Sequence, residues 1–125
     1  MANKGKLSDN DMIMSEEAWE DLHSEPIPEP LANNPLKTMV FTKGGVHCFK
    51  KEMCTDSTIF NHKLYLNREG FYGWVGFGGS IFQYNPDLKI GFAYVPINLI
   101  PFYMGNQRGA KLQQAVIDCA KDIIN

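Results

Sequence analysis

One stretch constrains this chain more than any other: Phe71-Tyr72-Gly73-Trp74-Val75-Gly76-Phe77-Gly78-Gly79-Ser80, running on into Ile81-Phe82-Gln83-Tyr84. Aromatic and β-branched residues favour strand, yet four glycines are scattered among them, and a glycine inside a strand weakens it. Either the glycines make a bulged turn between two strands, or another group must lie against the main chain. Residue chemistry favours the bulged turn.

The chain on either side predicts an α+β fold, an antiparallel β meander with a C-terminal helix packed on one face. Ser15 can cap a helix over residues 16–23, with Glu16 and Glu17 at the positive end of its dipole. Trp19 is its packing anchor. Pro26, Pro28, Pro30 and Pro35 make residues 24–35 an extended connector. Residues 1–36 thus read as an N-terminal arm and residues 37–125 as the sheet-and-helix portion.

Within that portion, residues 38–43 and 46–49 flank Gly44-Gly45, a two-residue hairpin signal. His47 between them could act as a base, but no nucleophile lies near it in sequence, and it reads as a half-exposed strand histidine. Residues 50–68 lack a period and read as a loop covering a sheet edge. Strands follow over 71–77, 80–84 and 89–95, with Asn85-Pro86-Asp87 as a turn and Pro96 as a stop. Residues 97–104 are apolar and contain Pro101, which predicts a packed loop. In a last helix over 108–124, Leu112, Ala115, Val116, Cys119 and Ile123 recur on one side, the face expected to lie on the sheet.

Composition narrows the function classes. The chain has 125 residues, enough for one domain with a modest core, and 44% hydrophobic residues argue for folding. A net charge of −2 gives no polycationic footprint, which argues against a nucleic-acid partner. Cys48, Cys54 and Cys119 form an odd count without a Cys-x-x-Cys pair, as expected of reduced thiols in a reducing compartment. A zinc site would have to join Cys48 and Cys54 to His47 or His62, at a spacing that fits no common pattern. No cofactor is expected. No run approaches the ~20 apolar residues of a membrane span, and residues 1–7 hold no apolar stretch of signal-peptide type.

The glycine-rich stretch, continued by Tyr84-Asn85-Pro86-Asp87-Leu88-Lys89-Ile90-Gly91-Phe92-Ala93-Tyr94-Val95-Pro96, resembles the C-terminal part of the serine β-lactamase-like family. That superfamily holds class C β-lactamases, penicillin-binding proteins and related esterases. Its third motif is Lys-Thr-Gly in lactamases and His-x-Gly or Trp-x-Gly in esterase-like relatives, and Trp74-Val75-Gly76 matches the last form. Residues 7–26 also resemble the segment preceding that strand in eukaryotic members.

The resemblance implies a β-lactamase/transpeptidase-like fold and an acyl transfer or hydrolysis of an ester or amide. It places Trp74 and Gly76 in the third motif, with the backbone N–H of Phe77 as one oxyanion donor. Trp74 stands where lactamases carry lysine, which points away from β-lactams and toward substrates with an apolar group; Trp74 reads equally well as a core residue. The family's nucleophile lies in Ser-x-x-Lys, and none of Ser8, Ser15, Ser24, Ser57 or Ser80 has lysine three places on. Tyr65-Leu66-Asn67 matches the second motif literally but lies too close to Trp74 to serve as one.

The chain is therefore expected to be a C-terminal portion, inactive alone, with a non-catalytic binding or assembly module as the alternative. Without the family's N-terminal strands, residues 89–95 would present an open edge. Its expected partners are the missing N-terminal portion or a second copy paired through that edge.

Overall fold

In a computed structural model the described residues are 1–24, 40–51, 54, 65–76, 78–99 and 106–124. They form the expected α+β architecture, an antiparallel five-stranded sheet in the order β1-β2-β3-β4-β5 and a C-terminal helix. The elements are α1 (Glu16–His23), β1 (Val40–Phe41), β2 (His47–Cys48), β3 (Tyr72–Val75), β4 (Ile81–Asn85), β5 (Ile90–Tyr94) and α2 (Gln107–Ile124). The proline-rich connector, and most of the loop expected over 50–68, lie outside the described residues.

Helix α1 has the bounds that its capping signals predict. Ser15 Oγ accepts the Ala18 N–H at 3.1 Å, and Glu16 and Glu17 occupy the first turn. The first hairpin departs from expectation. Phe41 pairs with His47, and the Thr42 N–H reaches the Val46 carbonyl at 2.8 Å, so Lys43, Gly44 and Gly45 make a three-residue loop. Gly45 takes the left-handed conformation that such a loop requires, at φ 73°. The extra residue has an anchor: the Gly44 N–H donates to the Leu22 carbonyl at the end of α1, at 2.9 Å. Beside it, Lys43 pairs with Asp21 in an exposed ion pair.

Strand parity separates the two faces of the sheet. Tyr72 and Tyr84 pair across β3 and β4 on the α1 side, where Trp19 and His23 meet them. Ile81 and Gln83 point the other way, toward α2. The main core lies on that second side, where Phe49, Cys54, Tyr65, Phe71 and Ile117 cluster.

The C-terminal helix spans nearly the expected residues but turns a different face inward. Gly109, Gln113, Ile117 and Ala120 are buried, whereas Leu112 (54% exposed), Val116, Cys119 and Ile123 (84%) face solvent. Three contacts explain the rotation. Gln113 Nε2 donates to Gln83 Oε1 at 2.6 Å, with both side chains buried. At Gly109 the helix comes so close to the sheet that a Cβ would lie 2.8 Å from side-chain atoms of Ile81 and Tyr94. The buried Arg68 guanidinium donates to the Ala110 carbonyl at 3.0 Å. Asn106 starts the helix, its Oδ1 accepting the Arg108 N–H at 2.8 Å. The packed loop expected over 97–104 is also corrected where it is described, since Ile97 and Leu99 are exposed.

Candidate functional site

The third-motif residues lie at the end of β3. Trp74 is the outward residue of the strand, 47% exposed, with its ring 5.2 Å from that of Phe41. It pairs across the ladder with Phe82, which is 56% exposed and itself faces Ala93 on β5. Trp74 is thus no core residue. Gly76 follows the strand, and its N–H donates to the Ser80 carbonyl at 2.7 Å. Phe77, expected to supply the oxyanion donor, lies outside the described residues.

The four glycines divide between both readings of the stretch. Gly78 and Gly79 have φ of 96° and 109°, and the Gly79 N–H closes onto the Gly76 carbonyl at 3.1 Å, so the turn between β3 and β4 accounts for them. Gly73 is the close approach. It has φ 140°, and a Cβ there would sit 2.1 Å from the Phe82 carbonyl oxygen. The group that lies against the main chain is the neighbouring strand itself.

β2 covers only part of the free side of β3. Its register pairs Cys48 with Tyr72 and His47 with Gly73 and then stops, because the chain turns into the loop anchored on α1. In an antiparallel ladder alternate residues point their backbone groups to opposite sides. Trp74 spends its N–H and C=O on β4, in step with Gly76, so those of Val75 point past the end of β2. Among the described residues β3 therefore has no partner strand at Val75, a buried residue beside an exposed indole.

The other sequence candidates fall elsewhere. His47 is wholly buried rather than half exposed, packed by Phe41, Phe49 and Tyr65, and neither ring nitrogen has a hydrogen-bond partner among the described residues. Burial pushes its pKa down to about 4, so it is a neutral core histidine without access to substrate. Tyr65 is buried in the core, and Asn67 Nδ2 is turned to Gln114 Oε1 at 3.2 Å. Cys48 borders a cleft on the α1 side with Lys50 and Tyr72, and burial raises its thiol pKa, which leaves it protonated. His62 lies outside the described residues, and no group of three or more metal-ligating side chains occurs among those described.

Sequence reasoning missed His23. Its Nδ1 lies 2.6 Å from the Trp19 carbonyl and its Nε2 2.5 Å from the Tyr84 hydroxyl, while its ring stacks on Trp19 at 3.8 Å. The carbonyl can only accept, so Nδ1 carries the proton and Nε2 receives the Tyr84 O–H. Burial lowers the His23 pKa and lifts that of Tyr84 to about 12, keeping both neutral. Nδ1 is spent on a carbonyl of its own helix, and Nε2 ties α1 to β4. A histidine in the last helical turn was the only local signal available.

No family model, curated protein or solved structure matches the chain. Among the described residues no helix is long and apolar enough to cross a membrane.

Proposed function

We propose that this chain supplies the third-motif strand, with its supporting sheet, to the acyl-transfer site of a β-lactamase-related serine hydrolase. On this reading it belongs to a β-lactamase/transpeptidase-like fold and is inactive alone, because Ser-x-x-Lys is absent from the sequence. The observation that carries the reading is the end of β3. There an exposed Trp74 and a side-chain-free Gly76 flank the backbone of Val75, which points past the end of β2.

The chemistry required of such a strand is modest. An oxyanion needs backbone donors held in place before charge develops, and losing one costs ~3–4 kcal/mol of transition-state stabilisation. Gly76 lets a substrate approach the strand, and the Phe77 N–H is the donor that the family resemblance names. Trp74 offers an apolar face and a single N–H donor, which suits an ester or amide bearing an apolar group. The docking partner on this reading is the nucleophile-bearing portion.

A second reading, a non-catalytic assembly module, is favoured by the outward aliphatic side of α2 together with the missing nucleophile motif.

Labelling with a fluorophosphonate and a fluorescent penicillin separates the two. The chain alone should take no label, whereas a mixture with the N-terminal portion of a related full-length protein should label with the fluorophosphonate. Trp74→Lys should shift that mixture toward penicillin. A mixture that never labels supports the assembly module. Heat-sensitive labelling of the isolated chain overturns the proposal, because it would place a reactive serine among those lacking Ser-x-x-Lys.

A further inference from the structure

β5 closes one side of the sheet, and among the described strands it pairs with β4 alone. The ladder decides which of its backbone groups are used. The Gly76 N–H bonds the Ser80 carbonyl, so by alternation Trp74 and Tyr72 exchange hydrogen bonds with Phe82 and Tyr84. β4 then turns the backbone of Ile81, Gln83 and Asn85 toward β5, where Tyr94, Phe92 and Ile90 answer it. The N–H and C=O of Gly91 and Ala93 are left pointing off the sheet. Val95, one residue past the strand, continues the same parity.

We propose that this edge is a homodimer interface, in which β5 pairs antiparallel with β5 of a second copy about a two-fold axis at Ala93. In that register Ala93 faces the partner's Ala93, Gly91 faces the partner's Val95, and Phe92 lies beside the partner's Tyr94. The inference does not rest on the hydrolase reading and competes with it for this edge, which that reading would give to the N-terminal portion.

Four observations favour a second copy of this chain in this register. All three outward residues pair, giving about six backbone hydrogen bonds; a register centred on Phe92 would pair Gly91 with Ala93 but set Val95 against Lys89, which at φ 52° has left the strand. Sizes match, since a Cβ at Gly91 would meet nothing within 4 Å and Val95 is 77% exposed. The partner's Val95 fills the space over Gly91. Trp74, Phe82 and Ala93 stand in one cross-strand row on a single face, and pairing through Ala93 carries that apolar row unbroken into the partner. Finally, edges that avoid pairing carry inward charges or proline, and here Lys89 and Pro96 only bracket the strand. Lys89 falls opposite the partner's Ile97, so no like charges meet.

The test combines sedimentation with directed cross-linking on the whole chain in a Cys119→Ser background, because Cys119 is exposed. Directly opposed residues of a bonded pair lie about 5.5 Å apart at Cα, within disulfide reach. Ala93→Cys should therefore trap a dimer on mild oxidation, and Gly91→Cys should trap one only when Val95→Cys is added. Ala93→Pro removes an outward N–H that no bond among the described residues uses. It should weaken the dimer at least tenfold with an unchanged circular dichroism spectrum, and Ala93→Lys should do the same if the proline variant misfolds. A chain that stays monomeric at ~100 μM, a dimer unaffected by Ala93→Lys, or equal trapping by Gly91→Cys alone overturns the proposal.

Discussion

Gln113 on α2 donates its side-chain amide to that of Gln83 on β4 at 2.6 Å, and both side chains are shut away from solvent. A buried amide that loses its partner keeps the whole cost of its desolvation, about 1–3 kcal/mol. Gln113→Leu alone should therefore lower the urea midpoint by an amount equivalent to about 2 kcal/mol. The double replacement, Gln83→Leu with Gln113→Leu, should recover most of it, because two apolar groups of similar shape then meet. Additive losses in the double-mutant cycle would show that the two amides act separately.

Gly73 and Gly91 make a matched pair of strand glycines. Gly73→Ala forces a side chain onto the Phe82 carbonyl at a φ of 140°, and should cost on the order of 3 kcal/mol or prevent folding. Gly91→Ala meets open space within one copy of the chain and should move the stability of the monomer by no more than about 0.5 kcal/mol. Chemical denaturation of the two variants side by side checks the contrast.

The buried His47 sets an acid limit. Its pKa falls from 6.5 in the unfolded chain to about 4 in the fold, so the unfolded state binds the proton first. Stability from this group is complete above pH 6.5 and is lost as pH drops toward 4, reaching about 3 kcal/mol. His23, also lowered by burial, adds a loss of the same sign. His47→Phe should flatten most of this slope and leave stability at pH 8 unchanged or raised, as read from melting temperatures across pH 4–8.

Tyr84→Phe removes the hydroxyl that donates to His23 Nε2 and keeps the ring stacked on Tyr72. It should cost about 1 kcal/mol. The effect should be local, appearing as faster proteolysis within α1 and loss of amide-exchange protection there, with protection of β4 retained.

Local signals carried much of the fold. Ser15 and the acids after it define α1 without help from the rest of the chain, and Asn85-Pro86-Asp87 marks the turn into β5. There, Asn85 Oδ1 accepts the N–H groups of Asp87 and Leu88 at 2.9 Å. What stayed hidden depended on partners far away in sequence. Periodicity ranks Leu112 and Val116 above Gln113, and the Gln83 amide thirty residues earlier, with the close approach at Gly109 and the Arg68 bond to Ala110, reverses that order. His23 finds Tyr84 across an even longer separation. For the candidate site, Trp74 could be placed on its strand from residue types alone, whereas Gly76, expected within the strand, lies just past its end. The end of strand pairing before Val75 depends on where β2 stops, and that is set by one extra loop residue anchored on α1.

The rotation of α2 has a thermodynamic side. The helix meets the sheet through a glycine, a glutamine, an alanine and an isoleucine, while its larger aliphatic groups are already in water. Lifting it off would still wet the core on which it lies, Ile117 together with Phe49, Tyr65 and Phe71. Its release should thus carry a heat-capacity increment and a denaturant dependence set by the carbon of the sheet more than by that of the helix.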